Sequence, residues 1–297
     1  MKKMLPTSKL QLRIRFTTPA KLPYWMGSAF RGLFGNEVRK ILCNDLNRRC
    51  SDCDTKEDCL FYYMYERKVA TRGHAPPQKP IILVPPFFGK KMNFKEDGKL
   101  DVDLLFFGDF KKYLPHVLLG LRLGGQQGIG SMRYYGQNRF LVESAVCQFS
   151  GNEVYDGDRI KLDSLKTIDA SDISPVDEDK IKIGFRTPFT GNEYPPPLDY
   201  LLALARYRLI HFVNEYGNGE RISKFEVDGK IVNYSNHYHR LERRSKRSDK
   251  TQFDSYTGVV EYEIEEIDDV GKWLLGVALT TGVGPDSSFG CGFLQVM

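Results

Sequence analysis

Leu10, Leu12, Ile14 and Phe16 alternate with Gln11, Arg13 and Arg15, a period of two that predicts a strand with one buried face. Pro19 and Pro23 end it. Phe30, Phe34, Val38 and Ile41 then recur at helical spacing and predict a helix from Trp25 to Leu42. Gly27, Gly32 and Gly35 work against that helix, each costing about 1 kcal/mol relative to alanine. After a cysteine-rich loop and a proline-rich stretch from Pro76 to Pro86, Val102, Leu104 and Phe106 predict a second strand. A helix over 110–123, the glycine-rich run 124–130 and a strand over 139–142 close the first half.

Residues 150–180 are polar, rich in Asp and Ser, and read as a linker or excursion. Beyond them the order of elements repeats. Ile181, Ile183 and Phe185 predict a strand, and Leu198, Leu201, Leu202, Ala205, Leu209 and Phe212 form an apolar helix face. A strand fits between Lys224 and Val232, and Val260, Tyr262 and Ile264 alternate with Glu261, Glu263 and Glu265. A helix through Trp273, Leu274, Val277 and Ala278 leads into a second glycine-rich run, Gly282–Gly292, and a last strand at Phe293–Val296. This β-α-β-β-α-β order is the ferredoxin-like one. The expectation is an α+β chain of two tandem ferredoxin-like (RRM-like) domains, 1–150 and 178–297, each with a glycine-rich loop before its last strand.

Bulk properties narrow the function only slightly. Hydrophobic residues are 41% and charged residues 27% of 297, a globular composition rather than a disordered one. No apolar run approaches the roughly 20 residues that span a bilayer. The N-terminal residues carry no secretion signal, so the expected location is the cytoplasm, and six cysteines in a reducing compartment argue against a disulfide framework.

A net charge of +5 is too mild to indicate nucleic acid by itself, but its distribution is uneven. Asn236–Lys250 holds six Lys or Arg against Glu242 and Asp249, a net +4. Arg240, Arg243, Arg244, Lys246 and Arg247, with Ser245, are candidate phosphate ligands, or else the run is a solvated loop balanced by the acidic strand 261–269. His237 and His239 in the same stretch face one side if the backbone is extended. An imidazole there could take a proton from a ribose 2′-OH or deliver one to a leaving oxygen. Nearby cations would lower its pKa and favour the base form. His74 is the reserve candidate, while His116 and His211 sit inside predicted helices.

Each glycine-rich run follows a helix and enters a strand, the reverse of a dinucleotide fingerprint. Such loops can present amides to phosphates, or merely turn the chain. Arg133 and Arg139 flank Tyr134 and Tyr135 in the first, pairing phosphate contacts with stacking faces suited to single-stranded RNA. In the second, the Ser287 and Ser288 hydroxyls and the amides around Gly284, Gly290 and Gly292 are candidate partners for an anion.

Cys43, Cys50, Cys53 and Cys59 follow the spacing C-x6-C-x2-C-x5-C. Four thiols this close read as a closed, structural zinc site. The spacing fits neither common ferredoxin pattern, so an Fe–S cluster is the less supported alternative. Free thiols or redox chemistry remain open. Cys147 and Cys291 read as buried strand residues.

Phe30-Arg31-Gly32-Leu33-Phe34-Gly35 followed by the cysteines and Tyr65-Glu66, then Gly128-Ile129-Gly130-x-x-Arg133, Arg243-x-Ser245-x-Arg247 and the terminal Gly282–Phe293 loop resemble, in order, the CRISPR-associated RAMP endoribonucleases. These process precursor CRISPR RNA; the likeness is to the branch with a cysteine-rich loop. The resemblance implies metal-independent attack of a 2′-OH on the adjacent phosphate, leaving a 2′,3′-cyclic end, and no cofactor for catalysis. Its implied partners are single-stranded or hairpin repeat RNA and a CRISPR effector complex. The family's histidine varies in position. Thr280 stands where relatives often carry it, Ser248 where glutamine is common, and the first helix has no histidine. That leaves His237 and His239 as catalytic candidates, or a non-catalytic RNA-binding subunit.

Overall fold

The computed structural model describes residues 3–72, 76–245 and 248–297. They form two units, Pro6–Ile168 and Asp169–Met297, the latter joined by the N-terminal residues up to Leu5. No helix among the described residues is long and apolar enough to cross a membrane.

The first unit runs β1 (Pro6–Phe16), β2 (Ala20–Leu22), α1 (Gly27–Leu42), β3 (Ile81–Val84), β4 (Met92–Phe94), β5 (Lys99–Phe107), α2 (Leu114–Gln127), β6 (Phe140–Cys147), β7 (Glu153–Tyr155) and β8 (Ile168–Asp169). Its sheet has the order β3-β5-β1-β6-β7, with β8 also on β1, while β2 and β4 pair separately. The alternation read from the sequence decides the faces. Leu10, Leu12, Ile14 and Phe16 are at most 1% exposed, and burying each such side chain contributes about 1.5–3 kcal/mol.

Helices α1 and α2 cover that face. Gly124 and Gly125, expected in the loop, are instead buried in the last turns of α2. A Cβ on Gly124 would stand 2.3 Å from Leu33, and one on Gly125 2.3 Å from the Phe140 carbonyl. The two glycines are therefore packing contacts for α1 and for β6, and the loop begins at Gly128.

Residues 150–168, expected as a linker, belong to the first unit. β7 pairs with β6, Val154 and Leu165 are buried, and the Ser8 and Thr167 hydroxyls lie 2.8 Å apart. The apolar side chains are scattered through a polar stretch and gave too weak a periodic signal to reveal this.

The second unit runs β9 (Lys180–Phe189), α3 (Leu198–Tyr216), β10 (Val227–Tyr234), β11 (His237–Ser245), β12 (Ser248–Ile267), α4 (Asp269–Thr281) and β13 (Leu294–Val296). Its order, β10-β12-β9-β13, matches β3-β5-β1-β6 strand for strand, so both units have the ferredoxin-like topology. β12 is long enough to serve two partners. Residues beyond Val260 pair with β10, and those up to Thr257 pair with β11. The basic segment, read as a loop, is thus the first arm of a hairpin inserted between the second and third strands of the fold. On the acidic strand, Glu263 pairs with Lys180 and Lys230 at 3.1 and 3.2 Å, and Glu265 with Lys230 at 2.7 Å.

A candidate RNA interface in each domain

The two glycine-rich loops are built alike. Each begins where a helix ends at a glycine of positive φ, Gly128 at 91° and Gly282 at 77°, a conformation that costs a side-chain-bearing residue dearly. Gly130 and Gly284 then open a five-residue 3-10 turn, Ser131–Tyr135 or Pro285–Phe289, closed by Gly136 or Gly290 in the left-handed region. Two residues on, Asn138 (φ 59°) and Gly292 (φ 73°) repeat that conformation.

The hydrogen bonds correspond as well. Ile129 donates to the Asn138 carbonyl and Val283 to that of Gly292; Asn138 donates to Pro19 and Gly292 to Pro188. The Arg139 amide donates to the Thr18 hydroxyl and the Phe293 amide to that of Thr187. All the loop pairs share one offset in residue number. This is the residue-level repeat that the order of elements could only suggest.

The surfaces of the two loops differ. In the first, Tyr134 and Tyr135 are 77% and 76% exposed, and Arg133 lies over the Tyr134 ring at 4.9 Å while donating to its hydroxyl at 2.9 Å. Arg139 is exposed beside them. In the second, an arginine also covers an aromatic ring, but it comes from β11: Arg243 lies 4.9 Å over Phe289. Its Nε is buried without a hydrogen-bond partner among the described residues, as is the Ser287 hydroxyl. The Gly290 amide already donates to the Ser287 carbonyl at 2.9 Å and that of Gly292 to Pro188 at 2.8 Å. These two glycines shape the loop, and their N–H groups are occupied.

Sequence reasoning missed Asp286. Burial pushes its carboxyl up, against the Thr190 hydrogen bond and the nearby Arg243, which both lower it. It is the loop's own carboxylate beside Arg243, and nothing in the local sequence marks it, because Thr190, just past β9, and Arg243, on β11, are distant in sequence.

On β11 the histidines do share a face. His237 stands opposite Thr257, Tyr238 opposite Tyr256 and His239 opposite Ser255. His239 Nε2 lies 2.7 Å from the Thr257 hydroxyl. Burial first, and His237 second, hold the His239 imidazole below its usual value, whereas the sequence had suggested neighbouring Lys and Arg as the cause. The opposite face carries aromatic rings. Tyr256 stacks on Tyr194 at 5.0 Å and meets Tyr238 edge-on at 5.7 Å. Arg240 is exposed on β11, and Arg244 and Ser245 end it. Lys246, Arg247 and the reserve candidate His74 lie outside the described residues.

In the first unit, Cys43, Cys50, Cys53 and Cys59 line one pocket of about 210 Å³ with Arg48, Arg49 and Tyr62. None of the four is in a disulfide. Burial, and next the charge of Cys59, raise the Cys43 thiol; burial, and next Glu66, raise that of Cys50; the Thr55 hydrogen bond lowers that of Cys53. Among the described residues no three His, Cys, Asp or Glu side chains are already set at metal-ligating positions. The chain brings the thiols to one pocket without forming a tetrahedral shell. Cys147 is buried in β6, whereas Cys291, expected in a strand, is buried in the loop before β13.

The N-terminal domain of the AF_1859 family matches residues 5–167, and its C-terminal domain matches 181–296. An uncharacterized protein of Archaeoglobus fulgidus is 36% identical over 293 residues, covering 98% of either chain. Among solved structures, a Cas6 product complex superposes with a TM-score of 0.57 at 16% identity, over 98% of this chain and 99% of that one. Thermus thermophilus Cas6 gives 0.56 at 14% identity over 99% of both. At such identity the likeness is one of fold, and it is the tandem ferredoxin-like arrangement that the two share.

Proposed function

The chain belongs to the AF_1859 family, and from that premise we propose that it binds single-stranded or hairpin CRISPR repeat RNA and cleaves it as a metal-independent endoribonuclease. The observation that carries the reading is the duplicated loop, with an arginine lying over an aromatic ring in each copy. Such a pair offers a phosphate its cation and a base its stacking face. The motif resemblance and the Cas6 neighbours support the same substrate class.

The 2′-oxygen would attack the adjacent phosphorus as the bond to the 5′-oxygen breaks, leaving a 2′,3′-cyclic phosphate and a 5′-hydroxyl. His239, kept neutral and held by Thr257, suits the proton acceptor, and His237 beside it suits the donor to the leaving oxygen. Arg240, Arg243 and Arg244, with Lys246 and Arg247, would neutralise phosphates.

Incubation with repeat RNA in EDTA tests this. Cleavage is expected to persist in the chelator and to stop when the nucleotide 5′ to the scissile phosphate is 2′-deoxy. Cleavage of the deoxy substrate would rule out 2′-OH attack. Binding without turnover would favour the second reading, a non-catalytic RNA-binding subunit of a CRISPR complex, which the exposed Tyr134 and Tyr135 fit equally well. The four thiols are proposed as ligands of a structural zinc ion that would draw them together. Elemental analysis of the purified chain is expected to find one zinc per chain, and its absence would leave them free thiols.

A further inference from the structure

The motif Phe30–Gly35 and the pair Tyr65-Glu66, far apart in sequence, interlock in the first unit. The Tyr65 ring occupies the space beside Gly35, where a Cβ would stand 2.6 Å from it. Its hydroxyl donates to the Arg31 carbonyl at 2.8 Å, and Arg31 lies 5.2 Å over the same ring while donating to the Met64 carbonyl at 3.3 Å. Arg67 lies 5.2 Å over the Tyr63 ring. Lys79, from the segment before β3, reaches the Tyr63 carbonyl at 3.5 Å.

Three cations from three segments thus converge on Tyr63–Arg67. Burial, then Arg31 and Arg67, bring Lys79 down to about 8, and Glu66 is the one carboxylate that acts against them. A half-buried ammonium opposed by two guanidinium groups and offset by one carboxylate is unfavourable, and a further anion would relieve it. Rings hold both arginines in place, so little side-chain entropy is lost when such an anion arrives. Neither the candidate catalytic hairpin nor the glycine-rich loops use these residues.

We propose that Arg31, Arg67 and Lys79 form a phosphate site of the first domain that takes a phosphodiester of bound RNA. In naming that ligand, the proposal rests on the RNA reading above.

The test is competitive acetylation of the whole chain with acetic anhydride at pH 8, read by mass spectrometry, with exposed Lys90 as internal reference. Inorganic pyrophosphate and a uridine-rich single-stranded RNA are the two probes. At several times its Kd, each is expected to slow labelling of Lys79 by about fivefold relative to Lys90. R67Q should weaken that protection. It should also slow labelling of Lys79 in the free chain, because a like charge that lowers its pKa is gone. Equal labelling with and without pyrophosphate overturns the site, and so does equal protection of Lys90, which would be screening alone. A gel shift run in parallel separates the two readings. RNA that binds while pyrophosphate leaves Lys79 unprotected sinks the site and spares the RNA reading. Protection by pyrophosphate with no RNA binding does the reverse.

Discussion

Changing both His237 and His239 to alanine is expected to slow cleavage of repeat RNA by about 10²- to 10⁴-fold, the range a positioned acid or base supplies. Affinity should hold, because both residues lie on the hairpin face opposite the Tyr194–Tyr256 stack. The converse variant, Y134A/Y135A, should lose about 1–3 kcal/mol of binding per stacked base while keeping the rate at saturating RNA. A filter-binding curve beside a single-turnover time course separates the two effects. Unchanged cleavage by the double-histidine variant would move the chemistry off β11.

The pH profile adds a signed check. His239 is held below its ordinary value by burial and by His237, so its neutral form dominates at pH 7. On its acid limb the rate should therefore fall only below the usual imidazole pKa of about 6.5. In the window between the lowered value and 6.5 the unfolded chain binds more protons than the folded one. The contribution of His239 to stability is therefore full above that window and is lost as pH falls through it.

Gly292→Ala is expected to be the most damaging small change in the second domain. Its φ is 73°, and a Cβ there would stand 1.9 Å from the carbonyl of Val283, whose amide closes the loop by donating to the Gly292 carbonyl. The residue cannot move without breaking its own bonds to Pro188 and Val283. A non-glycine residue in this region costs about 1–3 kcal/mol, and the clash adds to it, so a loss of about 3–4 kcal/mol is expected. Urea unfolding would show it as a lower midpoint at unchanged slope. Gly284→Ala is the control. Its φ is 88° but its nearest neighbour is Phe189 at 3.8 Å, so only the conformational part, about 1–2 kcal/mol, should appear. Equal effects at the two positions would contradict the close-packed loop. Asn138 shows how the first domain meets the same demand without glycine: its amide donates to the Lys21 and Ile129 carbonyls at 3.1 and 2.8 Å, and its oxygen accepts from the Lys21 amide.

Most strands and helices of the two repeats were legible along the chain because each announces its buried face within a few residues; β3, inside the proline-rich stretch 76–86, was not. The alternation at Leu10–Phe16 and Val260–Ile264, and the helical stripe through Leu201, Ala205, Leu209 and Phe212, are local signals of that kind, and the buried residues follow them. The two glycine closures were legible for the same reason, since backbone at positive φ favours glycine. What depended on contacts between distant segments was not. Gly124 and Gly125 read as loop until Leu33 and Phe140 were seen against them. The basic run read as a solvated loop because strand pairing with residues 248–257 leaves no trace in its own period.

Sequence alone settled which residue types would gather in each half: four thiols, two histidines in a cationic run, and arginines near tyrosines at a glycine-rich turn. Tertiary structure decided which of them meet. It set Arg243 over Phe289 with Asp286 alongside, put His239 against Thr257, and packed Tyr65 against Gly35 with Arg31 and Lys79 around it. The physical reason is range. Backbone conformation and facial burial are fixed by neighbours in sequence, whereas desolvation, charge and hydrogen-bond geometry at a site are sums over groups that only the folded chain brings within a few ångströms of one another.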